Sequence, residues 1–220
     1  MLESLPKLMP AVLEQIDESR RGAAVDWGTL SGVIGSLVTI GDALSEQDAV
    51  QVYSTAFERD FVHRTREFYT AEAGKFLRNN SVADYMRKVQ GRLREEQMRA
   101  DAHLHPSTKA KVMSVCTEVL IEDVRSHFLR EFDGMVRSGL TSELSIMHSL
   151  LERTADGLQA IGKNFQQIIA EEGQAIVDAK CREIVTEAKS SDEVRRCLPL
   201  IKDLIDLHTE YSPPSTHSLR

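Results

Sequence analysis

The chain has 220 residues, of which 41% are apolar and 28% charged, a balance that excludes a disordered polymer and allows a sizeable core in one domain or two small ones. Lys and Arg number 27 against 34 Asp and Glu, so the formal charge is −7, whereas a duplex-binding domain shows a basic excess. Nucleic acid is therefore not expected as a partner, and no membrane partner is expected because no apolar run is long enough to cross a bilayer.

Apolar residues recur every three or four positions nearly throughout. Pro10 can open a first helix whose short apolar face is Val12, Leu13 and Ile16, ending at Gly22. Asp26 is the expected N-cap of a second, with Leu30, Val33, Ile34, Leu37 and Val38 on its face and Gly41 as its stop. A long helix is predicted from Glu46 to Arg78, carrying Val50, Tyr53, Phe57, Phe61, Phe68, Phe76 and Leu77. Aromatics at this spacing read as core.

The chain is expected to break at Asn79-Asn80 and restart at Ser81, with Asp84 three residues on in a capping-box-like start. Val82, Tyr85, Met86, Val89, Leu93 and Gln97 share one face of that helix; Arg87, Lys88, Arg94, Glu95, Arg99 and Asp101 populate the other and read as solvated. Pro106 interrupts it, and Ser107 is the expected cap of a second long helix, Thr108 to Arg137. Its stripe is Val112, Cys116, Leu120, Val124, Phe128, Phe132 and Val136, stopped by Gly139. Helices at Thr141–Glu152, Asp156–Ala188 and Ser191–Glu210 follow, and the tail from residue 212 reads as disordered. No segment alternates over a strand length. The fold class is all-α.

Little in this chain points to chemistry. His103 and His105 lie on different helix faces and have no further ligand at metal spacing, so no metal site is expected. Glu95-Glu96 and Glu171-Glu172 are splayed by the helix turn and make no acid/base dyad. No nucleophile elbow, P-loop or dinucleotide fingerprint is present. Cys116 reads as a small buried hydrophobe with an inert thiol. Gly28-x-x-x-Gly32 reads as a place of close helix contact. Cys116, Cys181 and Cys197 are too few and too scattered for a disulfide framework or a paired-cysteine zinc site. Together with an N-terminal stretch lacking a signal-peptide apolar region, they lead to an expected cytoplasmic and nuclear location. No catalytic residue, cofactor or metal is expected.

Several words of the sequence nevertheless stand out as words. Asn80-Ser81-Val82, Tyr85-Met86-Arg87-Lys88-Val89, Arg92-Leu93-x-Glu95-Glu96 and Leu104-His105-x-Ser107-Thr108 follow one another in order. Phe68-Tyr69, Glu72 and Phe76-Leu77 precede them. Cys116-Thr117-Glu118-Val119-Leu120-Ile121-Glu122, Leu150-Leu151-x-Arg153 with Gly157-Leu158, and, more weakly, Gly173-x-Ala175-Ile176 and Leu204 to Tyr211 come after. The series resembles the N-terminal repeats of the cullin family over about residues 30–211. His103, Val124 and Gly91 depart from the family's usual residues and leave the helix order intact.

The resemblance implies stacked helical repeats forming an elongated rod, with one repeat at 1–104 and the next at 105–211, truncated at their outer ends. It implies a non-catalytic scaffold, the stalk of a cullin–RING ubiquitin ligase complex serving ubiquitin-dependent protein degradation. In the full-length family, a BTB- or Skp-type adaptor and a RING-box protein bind at the two ends, and both sites are expected to lie outside this chain. The chain is thus expected to be a fragment, and its cut repeats to favour self-association. The competing reading is a helical-bundle tethering or vesicle-coat subunit, which would carry an exposed lipid-facing stripe outside these motifs.

Overall fold

A computed structural model describes residues 5–44, 49–187, 199 and 202–207. Among these, all regular structure is helical: α1 Leu5–Arg20, α2 Trp27–Leu44, α3 Ala49–Tyr53, α4 Arg59–Leu77, α5 Val82–His103, α6 Pro106–Thr117, α7 Arg125–Arg137, α8 Thr141–Leu151 and α9 Gly157–Glu187. Two π-helical turns, Ser54–Glu58 and Glu118–Glu122, join α3 to α4 and continue α6. The expected helix at 191–210 is described only at 199 and 202–207, and the tail lies outside the described residues.

The chain divides into two compact units, residues 1–158 and 159–220. In the first, α4 packs against α1, α5, α6 and the second π-turn, and α5 packs against α6, α7 and α8. The 104/105 division between the two expected repeats falls inside this unit, at the short joint between α5 and α6. In the second unit, Leu207 Cδ2 approaches to 3.9 Å from where a Cβ on Gly173 would sit, and Lys180 Nζ is 4.0 Å from Asp203. The two weaker matched words are thus neighbours in space.

Local chemistry explains most boundaries. Gly22 and Gly139 take φ of +94° and +64° and end α1 and α7 in Schellman motifs, with Ala23 N–H donating to the Glu18 carbonyl and Leu140 N–H to that of Met135. Asp26 Oδ1 accepts from Thr29 N–H at 3.1 Å, opening α2. Ser81 Oγ accepts from Asp84 N–H at 3.1 Å and donates back to the Asp84 carboxylate at 2.7 Å, opening α5.

Other boundaries differ from the expectations. α1 starts at Leu5, so Pro10 lies inside it and one helical hydrogen bond is missing there. α2 runs through Gly41 to Leu44, because Gly41 is helical and buried rather than left-handed. His105, not Ser107, caps α6: its imidazole Nδ1 accepts from Ser107 N–H, and Pro106 takes the first helical position. Gly28 and Gly32 are exposed, and a Cβ on Gly32 would meet nothing within 4 Å, so this pair makes no close helix contact.

The two long stripes show why the π-turns are there. Four residues of a straight α-helix overshoot a full turn by about 40°, so a strict i+4 series walks off any fixed partner. Tyr53, Phe57, Phe61, Thr65, Tyr69 and Ala73 nevertheless are all buried, as are Val112, Cys116, Leu120, Phe128, Phe132 and Val136. A π-turn is wider than an α-turn, lags where the α-helix overshoots, and returns the series to the core. In the second stripe a further break at Asp123-Val124 separates α7 from the π-turn, so the single helix expected from Thr108 to Arg137 is two, and Val124 is only half-buried. Val50, expected on the core face of α3, is exposed.

Gly157 starts α9 where a Cβ would sit 2.4 Å from the Leu151 carbonyl oxygen and 2.9 Å from Leu151 Cβ. Gly157→Ala should therefore cost about 1–3 kcal/mol, the usual range for overpacking. Gly32→Ala, at an open helical position, should stabilise by about 0.5–1 kcal/mol. Urea denaturation of both variants checks the pair; equal effects would contradict the close approach at Gly157.

Candidate functional site

The most tightly built part of the described chain is a buried ionic hub where α1, α4 and α5 meet. Arg20 is 2% exposed although it carries a guanidinium, and Glu96 is 1% exposed. Their burial is tolerable only because every side is occupied. Arg20 Nε and Nη2 donate to the two oxygens of Glu96 at 2.9 and 3.2 Å, a bidentate pair. Its Nη1 donates to Asp17 at 2.9 Å, and its Nη2 also to Thr65 Oγ1 at 2.7 Å, while the Thr65 hydroxyl donates on to the Phe61 carbonyl. The guanidinium carbon lies 5.3–5.4 Å from the ring centroids of Phe61, Phe68 and Tyr69.

Glu96 takes two further donors, Tyr69 Oη at 2.6 Å and the Arg99 guanidinium. Asp17 accepts in turn from Arg64 Nε at 2.6 Å, and Arg64 also pairs with Glu14. Three carboxylates (Glu14, Asp17, Glu96) thus meet three guanidiniums (Arg20, Arg64, Arg99). Burial acts to raise the Glu96 carboxyl, but Arg20, Arg99 and Tyr69 outweigh it and hold it below the ordinary range. Burial and the Glu96 charge push the Tyr69 phenol up, and the same two causes raise the Cys116 thiol and keep it protonated.

A second hub fixes the joint between α5 and α6. The first π-turn presents Glu58, 1% exposed, to four donors: Ser54 Oγ at 2.8 Å, Ser107 Oγ at 3.1 Å, Thr108 Oγ1 at 2.9 Å and Lys111 Nζ at 2.6 Å. Burial raises this carboxyl, and the four donors more than offset it, so it too is lowered. Tyr53 Oη lies 2.6 Å from Thr108 Oγ1. In the second π-turn the Leu120 carbonyl is satisfied by Tyr85 Oη at 3.0 Å. Outside the hubs, Arg66 grips Glu118 through two bonds of 2.8 and 2.6 Å, and Arg92 grips Glu72 at 3.0 and 2.5 Å.

These geometries correct three sequence readings. Glu96, set aside as half of a splayed pair, is the buried centre of the first hub, and Gln97, placed on the core face, is exposed. Arg99, placed on the solvated face, has a side chain only 9% exposed. Arg20, Asp17, Thr65 and Glu58 were not singled out at all. The available signal was a charge or hydroxyl four residues after an apolar stripe residue, as Thr65 follows Phe61, Arg20 follows Ile16 and Asp17 follows Leu13; Glu58, next to Phe57, carries no such signal. The histidines go separate ways: His103 stacks on Trp27 with centroids 4.4 Å apart and its Nδ1 2.9 Å from Ser31 Oγ, while His105 faces Tyr53 and Ser107. Burial, then the Arg99 charge, lowers the His103 pKa. Among the described residues no group of three His, Cys, Asp or Glu could hold a metal ion, and no helix is long and apolar enough to cross a membrane.

Because Glu96 and Glu58 are lowered in the fold, they contribute stability that is fully present above the unfolded glutamate value, 4.5, and is lost as pH falls through their lower folded values. Urea midpoints should hold down to about pH 5 and fall steadily below it. Glu96→Gln should cost about 3–5 kcal/mol by stranding Arg20, and Arg20→Met should cost a similar amount. The double variant should cost clearly less than the sum of the two, since they share one interaction. Additive costs would mean that the pair is not coupled.

Some of these residues fall within the matched words: Tyr69, Glu96, Ser107 and Thr108 from the hubs, and Glu72, Tyr85, Arg92, Glu118 and Leu120 from the bonds beside them. A family model described as the cullin alpha solenoid domain matches residues 2–219. The chain is 34% identical to Cullin-1 of Caenorhabditis elegans over 93% of its own length and 26% of that protein's. It is 32% identical to Cullin-1 of Dictyostelium discoideum over 83% of its length and 24% of that protein's. Cullin-5 of the same organism is 29% identical over 80% of the chain and 23% of the relative. The chain thus spans about a quarter of the length of these relatives. With the family model running over almost all of an all-helical chain, this protein belongs to the cullin family.

Proposed function

We propose that the chain is a stalk segment of a cullin–RING ubiquitin ligase, a non-catalytic spacer in ubiquitin-dependent protein degradation. It separates a BTB- or Skp-type substrate adaptor from a RING-box protein and its charged conjugating enzyme. The observation that carries this reading is the match to the cullin alpha solenoid domain over residues 2–219. The physics of the first unit supports it. A spacer must resist bending, and apolar packing alone lets helices slide. Multidentate bonds from buried charges fix both distance and angle, and here they tie α1, α4, α5 and α6 to one another.

In this reading the surfaces that recruit adaptor and RING-box protein lie outside residues 1–220, and the complex works in the cytoplasm and nucleus. Leu8 on α1 and Val50 on α3 are exposed apolar side chains. The isolated chain then self-associates with rising concentration.

The test is a chimera in which residues 30–211 replace the matched segment of a full-length cullin. Ubiquitin transfer to an adaptor-bound substrate should persist, and should be lost when a flexible Gly/Ser linker of equal length is used instead. A folded chimera that binds adaptor and RING-box protein yet transfers no ubiquitin would refute the spacer role. The chain alone should capture neither partner in pull-downs, since a stable specific interface needs roughly 1,200–2,000 Å² of complementary surface.

A further inference from the structure

Between α5 and α8 lies a concavity of about 290 Å³ that the ionic hubs do not use. Its floor is apolar, made by Leu93 and Leu150, which are 3% and 1% exposed, and Met98 stands exposed at its edge. One wall is polar but already satisfied: Gln90 donates to Ser149 Oγ at 3.3 Å, and the Ser149 hydroxyl donates to the Ile146 carbonyl at 2.8 Å. Two guanidiniums line the remainder, Arg94 from α5 and Arg153 from the turn after α8.

Their charge state sets these two arginines apart. Their neighbours on α5 are all engaged: Arg87 with Asp84 and Glu143, Arg92 with Glu72 and Glu95, Arg99 with Glu96. Arg94 and Arg153 have no carboxylate within 4.0 Å among the described residues. Asp101 is the single carboxylate among the described residues lining the concavity, and Lys109 Nζ holds it at 2.6 Å. A chain of net charge −7 therefore presents two unneutralised positive charges around an apolar floor.

We propose that this concavity is a docking pocket for an acidic segment of a partner protein. An apolar side chain of that segment seats on Leu93 and Leu150, and flanking carboxylates meet Arg94 and Arg153. Charge complementarity selects the carboxylates, and guanidinium geometry suits them through two parallel bonds. The apolar floor selects a peptide over a bare inorganic anion, which has nothing to place there. Both arginines are exposed, so the pairs are screened, and the docking is weak and salt-dependent. This inference is independent of the stalk reading, because it rests on the pocket's own charges and floor.

The test titrates the full 220-residue chain with an acetylated peptide of sequence Glu-Leu-Glu-Glu-Leu-Glu while following the arginine Nε–Hε resonances by NMR. Shifts should centre on Arg94 and Arg153. Binding should weaken about two- to fivefold with either Arg94→Ala or Arg153→Ala, and should vanish at high salt. Replacing the peptide's leucines with serine should weaken binding by a similar factor. Both arginines are exposed, so the variants should keep the parent's melting temperature, which separates lost docking from lost fold. Four outcomes would overturn the proposal: no shift at either arginine; equal affinity for the double variant; equal binding of pyrophosphate and the serine peptide, which would make the pocket a plain anion site; or a dimer by sedimentation that the double variant abolishes, which would make a second copy the occupant.

Discussion

The bidentate pair between Arg20 and Glu96 is the constraint on which the first unit depends. Both groups are withdrawn from water at a cost of several kcal/mol each, and that cost is recovered only with every partner in place. Arg20 reaches Glu96 across 76 positions of sequence and Thr65 across 45, and Tyr69 closes the ring from α4. Three helices must therefore be correctly placed at once. Apolar packing tolerates repacking at about the right volume, whereas this hub accepts one arrangement. Its aromatic collar of Phe61, Phe68 and Tyr69 both excludes water and turns ring faces toward the cation.

The π-turns serve the same end by another route. Each lies on a helix whose apolar residues repeat at a strict four-residue step, and each returns that series to the core. The first also aims Glu58 at Ser107, Thr108 and Lys111, so a correction of helical phase becomes the anchor of the α5–α6 joint. The second lets the Leu120 carbonyl accept from Tyr85 of α5. Widened turns are costly by themselves, and here side chains from other helices use the backbone geometry they create.

The charged surface divides accordingly. Arg66 with Glu118 and Arg92 with Glu72 cross-brace helices at the margin of the core, consistent with the proposed role as a spacer. Arg94 and Arg153 brace nothing, and this separates a surface available for recognition from one consumed by the fold. Arg92, Arg94 and Arg99 lie within eight residues on one helix, yet they belong to a brace, a pocket and a buried hub respectively.

Much of this protein was legible in the sequence because it is decided locally. Helix periodicity, the Schellman glycines at Gly22 and Gly139, and the caps at Asp26 and Ser81 depend on residues a few positions apart, and each is found where it was read. The matched words around Tyr85 to Glu96 carried the family for the same reason, as short runs with fixed spacing. The hubs were not legible, because a charge on a helix reads as solvated until its partner is known. Glu96 was assigned by the company of Glu95, whereas its burial is set by Arg20. Gly41 read as a stop and Val124 as core, although packing against neighbouring helices carries the chain through the first and breaks it at the second. Sequence alone thus determined that the chain is helical and most of the stripe that each described helix buries. Only the tertiary structure decided which charges go inside, because a buried ion is stable only where several distant segments bring its partners together.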